Sequence, residues 1–131
     1  MKELWINLPV KDLERSREFF SAVGFNVMEP GQAGHEMVGM VVGVHQVHVM
    51  LVLEERFKSY SLNALTDTDQ STEALFSISV DSKEELDETI GKVKQAGGFV
   101  FSQPAEQNGF YGAAFADLDG HRWNFLVMVN D

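Results

Sequence analysis

The chain contains no cysteine, so it has no disulfide framework, no thiolate metal site and no cysteine nucleophile. Bases are scarce: 10 Lys and Arg stand against 20 Asp and Glu, a formal net charge of −10. That balance repels phosphate backbones and anionic lipid surfaces, which argues against nucleic acid and membranes as partners. No apolar run approaches the roughly eighteen residues that a membrane span needs. The opening stretch, MKELWINLPVKDLERS, lacks the apolar core and small-residue cleavage site of a secretory signal, so a cytoplasmic protein is expected. Missing too are a G-x-S-x-G elbow, a phosphate-cradling Gly-rich loop and an H-E-x-x-H pair. GQAG (31–34) and GFYG (109–112) read as turns.

What is present is ordinary for one globular domain: 131 residues, 44% hydrophobic and 23% charged. LWINLPV (4–10) alternates and reads as a strand. KDLERSREFFSAVG follows as a helix, with Asp12 placed to cap it and Leu13, Phe20 and Val23 on one stripe. Gly24 marks its end. Strands are expected at 25–30, 36–43 and 47–55. The polar stretch 61–73 reads as a linker. A strand at 74–80 then leads into a helix in which Ser82 and Glu85 match a capping box, and Leu86, Ile90 and Val93 form the buried stripe. Gly97-Gly98 end that helix, and strands at 99–104, 111–117 and 121–129 complete the set.

Each half is therefore strand, helix, strand, strand, strand. The halves begin about seventy residues apart, from Leu4 to Ala74. The chain is an α+β protein of two βαβββ modules, about 1–60 and 74–131. Neither module buries its sheet alone, so each requires a cover from the other module or from a second chain.

Two segments, LPVKDLERSREFFSAVGF and YGAAFADLDGHRWNF, resemble the vicinal oxygen chelate superfamily, which includes glyoxalase I, bleomycin-resistance proteins and extradiol dioxygenases. The likeness spans nearly the whole chain and includes the doubled βαβββ order. It implies curved mixed sheets around a cleft, commonly with a divalent metal whose ligands come from the first and last strand of each module. In the enzymes that metal acts as a Lewis acid toward two adjacent substrate oxygens.

Laid on the family pattern, the four ligand positions fall on Trp5, Met50, Leu75 and Asn124. An amide oxygen binds hard cations weakly; an indole and an isobutyl group do not bind them. The resemblance therefore carries over fold, not glyoxalase I activity, and no cofactor is expected. Strand faces survive only a two-residue slip. That slip offers Asn7 for Trp5, His48 for Met50 and Glu73 for Leu75, and His48, Glu73 and Asn124 then make an alternative metal site of a lyase or dioxygenase.

Alternation puts Trp5 and Asn7 on one strand face, His48 and Met50 on another, and Leu75 with Ser77 and Asn124 on the facing pair. These residues, with Tyr111 at the mouth, are the candidate ligand-binding set: apolar walls with a few hydrogen-bonding groups. Taken singly, Trp5 and Met50 read as core filling before they read as ligand-gripping, and His48 as a structural histidine rather than a base. His45 is expected on the strand face opposite His48, and His121 in a turn-stabilising role. The expected partner is a small molecule, the expected state a homodimer, and a protein whose cleft is packed shut for an interaction role is the remaining alternative.

Overall fold

The computed structural model describes residues 1–31 and 34–129. The chain divides into two compact units, Met1–Asp67 and Thr68–Asp131.

The first unit contains β1 (Trp5–Val10), α1 (Leu13–Val23), β2 (Asn26–Val27), β3 (Met37–Val42), β4 (Val47–Leu53) and α2 (Glu54–Ser61). Asp12 sits in extended conformation and its Oδ1 accepts from the Arg15 N–H at 3.0 Å, satisfying a donor that the first helical turn leaves open. At the other end Phe25 N–H donates to Phe20 O at 2.9 Å and Gly24 N–H to Ser21 O at 3.2 Å, a Schellman closure with Gly24 left-handed. Leu13, Ser16, Phe19, Phe20 and Val23 are the buried face of α1. They meet Leu8 and Val10 of β1, Val38 and Met40 of β3, and Val49 and Leu51 of β4, all buried. The sheet order is β1-β4-β3-β2, with β1 parallel to β4 and the other pairs antiparallel.

The second unit repeats the plan with β5 (Leu75–Ser79), α3 (Lys83–Gln95), β6 (Phe99–Gln107), β7 (Phe110–Ala116) and β8 (Arg122–Met128), ordered β5-β8-β7-β6. Ser82 Oγ accepts from Glu85 N–H at 3.1 Å, as the capping pattern required, while the Glu85 carboxylate reaches back to the Asp81 N–H. Gly98 N–H to Val93 O and Gly97 N–H to Lys94 O repeat the closure seen at Gly24. Leu86, Ile90 and Val93 are buried against Phe115, Trp123, Phe125 and Val127. The fold is therefore α+β: two four-stranded mixed sheets, each carrying helix on one face.

Three elements depart from the sequence expectation. The strand expected over 25–30 is only Asn26–Val27, because Phe25 turns to pack edge-on against Phe20 (5.1 Å between centroids) and Pro30 has no N–H to give a ladder. The strand expected to end at 55 ends at Leu53, where α2 begins. No side chain caps that helix and none of its residues is fully buried; its ion pairs among the described residues are Glu54 with Lys11, Arg56 with Glu36 and Lys58 with Glu55. The strand expected over 99–104 runs to Gln107, carried past Pro104 by irregular pairing between Val100 and Ala105.

The Asp-Gly turn before β8 is tied at one buried carboxylate. Asp117 Oδ1 accepts from the N–H groups of Asp119 and His121, and Oδ2 from the Trp123 indole N–H, each at 3.0 Å. Gly120 has φ of 84°, and a Cβ there would clash with Thr68 Oγ1, whose hydroxyl donates to Asp119 O. Only glycine meets both the conformation and the space. His121 accordingly acts in the turn through its backbone, donating to Asp117 and accepting from the Asp117 N–H at 2.9 Å.

Candidate functional site

The parallel register of β1 and β4 sets Trp5 beside His48 and Asn7 beside Met50. Register partners point to one side of a sheet, and here that side is the one away from α1. β3 adds Met37, Gly39 and Val41 to it, opposite Val52, Met50 and His48. Trp5 is 53% exposed on this open face and stacks on the half-buried His48, with centroids 5.0 Å apart and planes 14° from parallel. An offset stack of this kind stabilises both rings by about 0.5–1.5 kcal/mol beyond area burial. His48 makes no hydrogen bond among the described residues, so no carboxylate orients its imidazole as a base would require.

A hollow of about 370 Å³ opens beside this pair, lined by Trp5, Met28, Glu29, Met37, Gly39, His48 and Met50, with Gly31 and Val38. Gly39 is its floor: a Cβ there would come within 3.2 Å of Met50 Sδ and 3.5 Å of Met28 Sδ. A glycine inside a strand marks a close approach, and here the thioethers occupy the space a side chain would take. The walls are one indole, one imidazole and three flexible, polarizable thioethers, with a single carboxylate, Glu29, exposed at the rim. Met28, Glu29, Met37 and Gly39 were not foreseen as site residues. The signal for Gly39 was its place inside the apolar run 36–43; Met28 follows a strand that proved too short for alternation to assign.

The remaining predicted residues lie in the second unit. Leu75 pairs with Arg122 and Ser77 with Asn124, which places all four on the sheet face away from α3. Asn124 Oδ1 is buried and has no hydrogen-bond partner among the described residues. An unpaired buried acceptor costs about 1–3 kcal/mol. Tyr111 does not share this face. It lies on the helix side, where its hydroxyl donates to Asp87 Oδ1 of α3 at 2.5 Å and Lys83 sits 5.2 Å from the ring centroid. The expectation of Tyr111 at a pocket mouth is therefore corrected: alternation along β7 turns it toward α3, and the Asp87 bond pushes its pKa up from the usual phenol value. His45 is also corrected. It sits in the turn 43–46 rather than on β4, and with His48, Lys2 and Glu3 borders a shallow recess of about 240 Å³.

The donor set does not fit the divalent metal of the resembled enzymes. Trp5 and Met50 lie side by side on the first open face, and Leu75 and Asn124 on the second, supplying one amide oxygen as the sole hard donor. Among the described residues no three His, Asp or Glu side chains are grouped to hold a metal ion.

The bleomycin resistance protein-like N-terminal family matches residues 2–43. No curated protein matches the chain. Among solved structures, a hypothetical protein from S. aureus is 41% identical over 97% of this chain and 94% of its own, with a TM-score of 0.87. A glyoxalase-related enzyme from Fulvimarina pelagi superposes with a TM-score of 0.80 at 17% identity, covering 97% of this chain and 88% of that one. An antibiotic binding protein from Streptomyces sp. CB03234 gives 0.66 at 18% identity, covering 98% and 96%. The doubled βαβββ topology is the fold of the glyoxalase/bleomycin resistance/dioxygenase proteins, the vicinal oxygen chelate fold.

Proposed function

We propose that the protein binds a flat, largely apolar small molecule in the hollow of its first sheet, without the divalent metal of the family's enzymes. The observation that carries this reading is the stacked Trp5–His48 wall standing over a floor where Gly39 makes room for two thioether sulfurs. Ligand sites are commonly apolar concavities with a few polar groups, and about 370 Å³ lies in their usual size range. Methionine walls adapt their shape to the guest, and an exposed indole offers a large, rigid contact surface. His48 supplies a hydrogen-bonding edge and Asn7, exposed beside Met50, an amide. The Streptomyces relative is an antibiotic binding protein, which supports ligand capture on this fold by analogy alone.

Nile red, a neutral planar dye, tests the reading. Its emission should rise on titration with the protein, and Trp5→Ala should weaken binding at least tenfold, as truncating an aromatic anchor does. Dye binding that ignores Trp5→Ala would reject the site. Elemental analysis of the purified protein should find no stoichiometric nickel, zinc, manganese or iron; one such ion per chain would reject the metal-free reading.

A further inference from the structure

The second unit carries a cation without a counter-charge. In a chain with twice as many acids as bases, Lys11, Arg17, Arg56, Lys58, Lys83 and Lys92 each meet a carboxylate. Arg122 meets none among the described residues. Its guanidinium lies 4.2 Å from the Phe101 ring centroid, and its Nε–H is buried without an acceptor. The register partner on β7 is Ala116, small enough for the side chain to cross that strand and reach Phe101 on β6. Two residues along β8, on the same face, Asn124 Oδ1 is a buried acceptor without a donor. An unpaired forked donor and an unpaired acceptor thus stand side by side, with Ser77 exposed next to Asn124 and the apolar Leu75 next to Arg122.

We infer that the open face of the second sheet is a binding site for a small aromatic carboxylic acid carrying a neighbouring hydroxyl. The carboxylate pairs with the Arg122 guanidinium, whose planar fork matches two oxygens and whose stacking on Phe101 fixes its plane. The hydroxyl donates to Asn124 Oδ1, and the ring covers Leu75. Selectivity follows from the unpaired acceptor: a ligand without the hydroxyl leaves it unpaired, whereas one with the hydroxyl completes it. The site lies on another sheet from the Trp5 hollow and stands or falls independently of it.

Salicylate is the probe, with benzoate and phenol as comparisons, followed by amide and indole chemical shifts of the full chain. Salicylate should give saturable shifts at β5 and β8 while the Trp5 indole stays unmoved. Benzoate should bind more weakly and phenol weakest. Arg122→Gln should weaken salicylate about tenfold or more, and Arg122→Lys by less, since it keeps the charge and loses the fork. Asn124→Leu should abolish the preference for salicylate over benzoate. A thermal melt of each variant separates lost binding from lost fold. The inference is overturned if high salicylate moves no second-sheet amide saturably, if Arg122→Gln binds as the native chain does, or if Asn124→Leu keeps the preference.

Discussion

At the scale of single residues, the Asp117 carboxylate is held by three hydrogen bonds. Burial pushes its pKa up, opposed by His121 and by the three N–H donors it accepts. A folded-state pKa above the ordinary value of 3.8 means that the folded chain holds this proton more tightly. Its contribution to stability is therefore fully present below 3.8 and falls as pH rises through the raised value. Asp117→Asn loses the acceptor for the Trp123 indole and should cost about 1–3 kcal/mol. Urea unfolding across pH 4–8 should show the gap between native and variant narrowing as pH rises. Nothing in the sequence marked this role: DLDGHRW announced an acidic turn, but the reach of Asp117 to the indole six residues on depends on how β7 and β8 pair. That His48 shares a strand face with Met50, and Leu75 with Ser77, was by contrast legible from period-two alternation. Tyr111 was not, because its place at a pocket mouth was inferred from proximity to a turn rather than from the alternation of its own strand.

At the scale of elements, legibility followed the strength of the local signal. α1 and α3 announced themselves through a capping side chain, an apolar stripe and a closing glycine, and all three features are where the pattern put them. α2 has no stripe and no cap, only acids in its first turn and Lys58 in its last, so its first residues read as a continuation of the preceding strand. The same facts predict its dynamics. With no fully buried residue and only surface ion pairs, those of Glu54, Arg56 and Lys58, α2 should open locally at little cost. Its amides should exchange with solvent faster than those of α1 and α3 in a native-state hydrogen-exchange experiment, and equal protection would contradict this.

At the scale of the whole molecule, the governing quantities are the duplication and the net charge. The duplication was readable because both modules use the same punctuation: a capped helix start after the first strand and a left-handed glycine, Gly24 or Gly97, at the helix end. The resemblance in fold rested on that order together with the segments LPVKDLERSREFFSAVGF and YGAAFADLDGHRWNF; the reaction did not carry over, since the four ligand positions hold Trp5, Met50, Leu75 and Asn124. The charge of −10 predicts behaviour toward polyanions. At low ionic strength the protein should pass unretained through a heparin column and should not sediment with anionic vesicles. Retention would reveal a basic patch that the residue balance argues against. No helix among the described residues is long and apolar enough to cross a membrane.

Gly39 sits outside the left-handed region, so the backbone does not demand glycine there; the thioethers of Met50 and Met28 packed over it do. The bore of the hollow is thus governed by one codon. Alanine would press on the mobile tip of Met50, and each larger residue would shut the chamber further while the ladder of β3 stayed intact. A single nucleotide step at this codon would therefore narrow the hollow of the first sheet.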